Sequence, residues 1–182
     1  KSQKGRTTMD FELTKEQQDL QQRARTFIDT EVLPHYRTWP ITVPEYSPEL
    51  KSHLKGKMEE FGLTKLNVPK DFGGQGLGAT EDVIVLTEFS RSPRRLPGFI
   101  FSPWPVFFES SDYIKNKYLY PVLEGRTGWS MCFTEPQAGS DLAGIRTSAV
   151  KKGDRYVING RKVWRTGHAE ASFTAVAAVT DP

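Results

Sequence analysis

The hydrophobic period changes once along this chain, just before Trp129, and that single change fixes the class of fold. Upstream, large apolar residues recur at three- and four-residue spacing, the pattern of a helix with one face in a core. Downstream, they fall into short blocks rich in β-branched and aromatic residues, bounded by glycine, asparagine and aspartate, which is how half-buried strands read. A chain that runs through helices and then through strands, without alternating them, packs as α+β. The expected architecture is an N-terminal all-α helical domain followed by an incomplete antiparallel β-domain.

The helical part carries its own start and stop signals. Thr14 with Gln17 three residues later forms a capping box, and Leu20, Ala24, Phe27, Ile28 and Val32 then recur on one face. Pro34 ends that helix. After the linker WPITVPEY (39–46), Ser47-Pro48 is a cap followed by proline at the first helical position, and Leu50, Leu54, Met58 and Phe61 make the next stripe. Gly62 closes it in a left-handed conformation. The loop VPKDFGGQGLG (68–78) lacks the lysine of a P-loop and no strand clearly feeds it, so it reads as a tight connection between helices. Thr80, Glu81 and Asp82 open a further helix with Val83, Ile84, Leu86 and Phe89 on its apolar face. Residues 91–110 are too rich in proline and aromatics to assign; a last helix runs from about Ser111 to Leu123 and ends at Gly125.

Past the change of period, the chain from Trp129 onward reads as short strands, with YVI, KVW and SFTAVAAVT among them. Asn159-Gly160 between YVI and KVW is the strongest hairpin signal, because both residues tolerate the positive φ of a type I′ turn; Gly153-Asp154 makes another turn before it. The sequence stops one strand edge later. Three or four strands are few for a closed sheet, so the chain reads as residues 1–8 (a tag or targeting remnant ahead of Met9), a helical domain over 9–127 and a partial β-domain over 128–182.

Composition excludes several functions. A net charge of +3, with acids and bases interleaved, gives no basic face of the kind that binds nucleic acid. No apolar run approaches the roughly 20 residues of a membrane span. One cysteine, Cys132, forbids an internal disulfide and makes a reducing compartment the default; Cys132 itself reads as a small buried apolar residue. His35, His53 and His168 show no metal-ligand spacing.

The chemistry concentrates in WSMCFTEPQAGSD (129–141), where a strand runs into many backbone-exposing small residues with no bulky side chain to cover them. Cys132-Phe133-Thr134-Glu135-Pro136, Ala138-Gly139-Ser140-Asp141 and Gly144, followed by NGRKVWRTG (159–167), resemble the two signatures of the acyl-CoA dehydrogenase family. The start MDFELTKEQQDL and the loop at 68–78 also sit where that family has its first helix and its Gly-Gly loop, so the resemblance spans nearly everything after Met9. It implies FAD as cofactor and an acyl-CoA thioester as substrate, with α,β-desaturation as the reaction.

By this resemblance Trp164 stacks on the isoalloxazine ring and Thr166 addresses the flavin edge at which hydride arrives. Met131, Phe133 and Thr134 line the pyrimidine side, and Thr134 bonds its polar rim. Gly139 and Ser140 lie in the small turn near the pyrophosphate, Ser140 also at the acyl-CoA entrance. Two departures stand out: Arg165 replaces an aliphatic residue, and the Asn or Ser expected after Thr166 is missing, so Thr166 runs directly into Gly167-His168. Strand alternation points Arg165 away from Trp164 and Thr166. The family's catalytic glutamate and much of its adenine-binding surface come from a C-terminal helical bundle and a neighbouring subunit. No residue here matches that base, and Glu135 belongs to the signature turn. The expectation is therefore the N-terminal part of a flavoenzyme of the cytoplasm or mitochondrial matrix, completed by a homo-oligomer or a C-terminal partner chain. A non-catalytic half-site or assembly module, and an oxygen-using oxidase or monooxygenase on the same fold, are the alternatives.

Overall fold

The computed structural model describes residues 11–36, 46–93, 96, 105–165 and 171–180. It divides into two compact units, Lys1–Ser102 and Pro103–Pro182. The units divide earlier than the 127/128 boundary at which secondary structure changes, because the last helical segment clusters with the strands.

In the first unit, helix α1 (Lys15–Phe27) starts as its sequence dictates. Thr14 Oγ1 accepts from the Gln17 amide at 3.3 Å while Gln17 Oε1 accepts from the Thr14 amide at 3.1 Å. Pro34 does not end the helix. A π-helical turn (Ile28–Val32) leads into α2 (Leu33–Tyr36), with the Leu33 amide donating five residues back to Ile28. A proline inside an α-helix drives its ring into the carbonyl four residues earlier; widening the turn just ahead of it opens that space. The second unit repeats the device, with a π turn at Lys115–Leu119, the Tyr120 amide bonded to Lys115, and Pro121 next. The linker expected over 39–46 lies, apart from Tyr46, outside the described residues.

Ser47 caps α3 (Pro48–Glu60), accepting from the Leu50 amide, and Gly62 follows at φ 66°. The 68–78 loop is a tight connection. Its glycine amides all bond within the loop or its borders: Gly73 to Lys70, Gly74 to Pro69, Gly76 to Val68 and Gly78 to the Glu81 carboxylate. None is left to face a phosphate. A Cβ on Gly74 would lie 2.0 Å from the Val68 carbonyl oxygen, so only glycine fits there. Helix α4 (Ala79–Phe89) buries Ile84, Val85 and Phe89, but Val83 and Leu86, expected on the same face, are exposed. Residues 83 and 86 lie one turn apart on a stripe of their own, which the spacing alone does not separate from the core face.

Phe27 centres the core of this unit, its ring 5.8 Å from those of both Phe61 and Phe89. Across the same contact, α4 buries the Glu88 carboxylate, which receives Arg25 at two points (2.7 and 3.1 Å) and Arg91 at 3.4 Å. Arg91 also holds Asp29 at 2.6 Å. The Arg25 hydrogen bonds hold the Glu88 carboxyl below its usual range despite burial.

The second unit begins with short helical pieces α5 (Pro105–Phe108), α6 (Asp112–Ile114) and α7 (Tyr120–Leu123), the last two joined through the π turn into the helix expected from Ser111 to Leu123. The unassigned stretch 91–110 is described only in part. Four strands follow: β1 (Gly128–Cys132), β2 (Ser148–Lys152), β3 (Arg155–Asn159) and β4 (Ala171–Val176). Phe107 and Tyr118 cover one face of the β1–β4 pair; Phe107 meets Trp129 edge-on at 5.2 Å, and Tyr118 lies 4.7 Å from Phe173. Trp129 and Phe173 are register partners, so the aromatic cluster is built on one rung of the ladder.

Two expectations about the strands need correction. β2 and β3 form the antiparallel hairpin, but its turn is Gly153-Asp154, with Lys152 opposite Arg155 and Gly153 at φ 64°. Asn159-Gly160 ends β3 instead, and KVW is not a strand. A Cβ on Gly160 would come within 2.7 Å of the Thr147 Cα, so this glycine serves a close backbone approach rather than a reversal. The other pair, β1 with β4, runs parallel, the hairpin lying in the crossover between them. Beyond β4, the Val179 amide donates to the Thr147 carbonyl and the Ala149 amide to the Val179 carbonyl, each at 2.8 Å, which ties the hairpin's base to this end of the chain.

Truncating Phe27 to alanine removes the centre of the first core, and an unfolding free energy lower by about 3–5 kcal/mol is expected in urea melts of this chain. Val83→Ala, on the exposed stripe, is expected to shift it by less than about 0.5 kcal/mol.

Candidate functional site

The Thr-Glu-Pro corner is a two-residue reversal. Glu135 and Ala138 exchange backbone hydrogen bonds of 2.9 and 3.1 Å, so Pro136 and Gln137 project from the turn while both bonded residues are buried. Burying Glu135 brings a carboxylate into the interior, which is tolerated only where donors surround it. They do. Oε1 accepts from Lys162 Nζ at 2.8 Å and the Thr147 amide at 2.9 Å; Oε2 accepts from the Arg146 amide at 2.7 Å and Gln137 Nε2 at 2.6 Å. Burial pushes this carboxyl up, but the Lys162 ammonium and the two amides outweigh it and hold it well below the usual carboxylate range.

Lys162 extends the arrangement. Its ammonium also donates to the Phe133 carbonyl at 2.9 Å, and the next amide, Val163, donates to the Thr134 carbonyl at 3.0 Å. Residue 165 is fixed as well: Arg165 Nε donates at 2.7 Å to Ser130 Oγ, which in turn lies 3.1 Å from Thr174 Oγ1 across the β1–β4 ladder. Between these anchors sits Trp164, with φ 58° and 87% exposure. Left-handed backbone at a bulky residue costs roughly 1–2 kcal/mol, and an indole of this exposure is rare on a soluble surface. Here the contacts of its neighbours on both sides set the conformation.

Of the residues read from sequence as a site, Met131 lies in β1 and Phe133 and Thr134 just past its end, all three half-buried. Val163 brings the Trp164 backbone alongside Thr134. No described residue bonds the Thr134 hydroxyl. Gly139 and Ser140 are exposed in the small turn, a Cβ on Gly139 would meet nothing within 4 Å, and the Ser140 carbonyl receives the Leu142 amide at 3.0 Å. Thr166, with Gly167 and His168, lies outside the described residues. Trp164 is exposed, as an indole wall requires, but it gains that position from a left-handed backbone rather than from strand alternation. Arg165 does turn away from it, toward Ser130.

Sequence reasoning missed the Glu135–Lys162 pair, treating Glu135 as a turn residue. A signal existed: each motif string carries a charged residue beside its apolar positions, Glu135 in the first and Lys162 two residues before the tryptophan in the second. Cys132 is buried and unpaired. Among the described residues no His, Cys, Asp and Glu group could hold a metal, and no helix is long and apolar enough to cross a membrane.

Two family models match the chain in order: the acyl-CoA dehydrogenase N-terminal domain over residues 14–126 and the middle domain over 130–182. The chain belongs to the acyl-CoA dehydrogenase family. It is 34% identical over 176 residues to acyl-CoA dehydrogenase FadE29 of Mycobacterium tuberculosis, covering 96% of this chain and 45% of that protein. Among solved structures it is similar to the ChsE4-ChsE5 complex from Mycobacterium tuberculosis (TM-score 0.76, 28% identity, 96% of this chain and 45% of that one). A glutaryl-CoA dehydrogenase from Mycobacterium smegmatis in complex with FADH2 is likewise similar, at TM-score 0.73 and 25% identity, covering 93% of this chain and 44% of that one. The chain thus spans less than half the length of these relatives.

The pH dependence of the corner follows from its geometry. Because the folded Glu135 carboxyl lies below its ordinary value of 4.5, its contribution is complete above pH 4.5 and is lost as pH falls from there toward the folded value. Melts of the chain are expected to lose stability on acidification below pH 4.5, and Glu135→Gln is expected to be less stable at pH 7 and to show a shallower acid loss.

Proposed function

We propose that this chain carries the flavin-facing part of an FAD-dependent acyl-CoA dehydrogenase-type oxidoreductase that desaturates an acyl-CoA thioester between its α and β carbons. The observation that carries the reading is the exposed Trp164 indole, on a segment held on both sides, where the Val163 amide bonds the Thr134 carbonyl and no described residue bonds the Thr134 hydroxyl. An isoalloxazine has a broad apolar face and a polar rim, and an exposed aromatic plane on a segment bonded to the Thr134 backbone suits that shape. The FADH2 complex of a relative supports the choice of cofactor.

When bound, FAD supplies the acceptor for the β-hydride. In this reading Trp164 offers the stacking plane, Met131 and Phe133 bound the ring at its side, and Thr134 donates its hydroxyl to the polar rim. Gly139 and Ser140 present backbone amides from an open turn, where phosphate oxygens can approach without meeting side chains. Ser140 also flanks the acyl-CoA entrance. Thr166 takes the role at the hydride-accepting edge on its sequence position alone. Glu135 is not the base: a carboxylate saturated by four donors and held ionised is a poor proton acceptor. The α-proton is assigned to a carboxylate outside these residues, supplied by a C-terminal segment or a second subunit. A buried, unpaired Cys132 fits a reducing compartment, the cytoplasm or the mitochondrial matrix.

The test is a titration of FAD into the purified chain, followed by the visible absorption band and by quenching of tryptophan fluorescence. Saturable binding is expected, weakened about tenfold in Trp164→Ala, equivalent to about 1.4 kcal/mol. Binding unchanged in that variant would remove the indole from the site. Bleaching of the flavin by acyl-CoA is expected only when the C-terminal part of a relative is co-expressed.

A further inference from the structure

The corner hub and the indole are connected through a run of four residues, and that run has an unusual distribution of contacts. Lys162 is tied by its side chain to Phe133 and Glu135, Val163 by its amide to Thr134, and Arg165 by its side chain to Ser130. Trp164 alone projects, at a backbone angle that a bulky residue does not choose for itself. The segment is not a strand, so no ladder fixes it. What fixes its N-terminal side is an ion pair with both ends shielded from water: the side chains of Lys162 and Glu135 are 11% and 2% exposed. A shielded pair of this kind has a direction as well as a strength, because the ammonium satisfies a carbonyl and a carboxylate at once and can do so from one position only.

We propose that Glu135 and Lys162 are positioning residues whose shielded ion pair locks the 162–165 segment against the end of β1 and thereby presents Trp164 as a fixed aromatic plane. The positioning is a property of this chain on its own; its consequence for cofactor affinity rests on the flavin reading above. Neither residue touches the cofactor in this account. Lys162 acts through the Phe133 carbonyl and Glu135, and Glu135 acts by drawing together its own turn at residue 137, the entry to β2 at 146 and 147, and residue 162.

The experiment labels the chain with 5-fluorotryptophan and reads its four tryptophans by fluorine NMR, assigning Trp164 and Trp129 from their phenylalanine variants. Trp129 sits in the aromatic cluster on β1 and reports whether the unit is folded. Lys162→Met is expected to move the Trp164 resonance to the position of the free amino acid while Trp129 stays in place, and Lys162→Arg, which keeps the cation, is expected to leave Trp164 where it is. A Trp164 resonance unmoved in Lys162→Met overturns the proposal. If Lys162→Met also displaces Trp129, the double variant Glu135→Gln/Lys162→Met decides, since it leaves no buried charge unpaired. Movement of Trp164 alone in that variant supports positioning; loss of Trp129 there too means that the pair supports the whole unit, and overturns it. FAD titration of the same proteins separates the two readings. An affinity reduced at least tenfold in Lys162→Met, and restored in Lys162→Arg, supports positioning for the cofactor. Absence of FAD binding in the unaltered chain, with the fluorine result as expected, removes the flavin reading and leaves the positioning role standing.

Discussion

Four donors converge on one carboxylate beneath the Thr-Glu-Pro corner, and much of the second unit is organised by the need to satisfy it. Two of the donors are amides at the entry to β2, one is the neighbouring Gln137, and one is an ammonium from a segment that follows the hairpin. A buried carboxylate cannot be satisfied piecemeal, since each missing donor leaves charge in a poorly polarisable interior. Satisfying it fixes the turn, the start of the hairpin and the 162–165 segment relative to one another. The segment's path then determines where the indole goes.

The first unit answers a similar requirement with different parts. Glu88 is buried on α4, and its partners are guanidinium groups from α1 and from the turn after α4, one of them bidentate. Arginine suits that site because the two helices pass side by side and its planar fork spans both oxygens. Lysine suits the corner, where one compact cation must serve a carbonyl and a carboxylate together. In both places the acid is held ionised while its cation reaches it from outside the deepest layer.

The sequence discloses most of what is local. The Thr14–Gln17 box, the Ser47 cap and Gly62 lie where short-range rules put them, because every group involved is within three or four residues of its partner. The motif strings around Thr134 and Trp164 marked the stretches that come together, and the pattern of turns marked the hairpin. Local rules fail where a distant contact competes with them. Asn159-Gly160 has the better turn chemistry, but Gly160 is needed where β3 passes Thr147, so the reversal falls at Gly153-Asp154. The parallel pairing of β1 with β4 and three of the four donors of Glu135 join residues separated by eleven positions or more, and no periodicity records them. Pro34 reads as a helix end by rule, yet a π turn precedes it and the helix continues, as another does ahead of Pro121.

Those two turns have a consequence for what lengths the helices tolerate. A π turn closes over one residue more than an α turn, so each of these spans holds a supernumerary position that the helix could in principle shed. Removing one would restore α spacing but rotate everything downstream by about 100°. It would also return the proline ring to a backbone oxygen. The extra residue is thus the accommodation that lets a ring-locked residue sit inside a continuous rod. At Ile28–Val32 and Lys115–Leu119 residue number is constrained more tightly than residue identity: exchanges leave the rod's phase intact, and a single deletion does not.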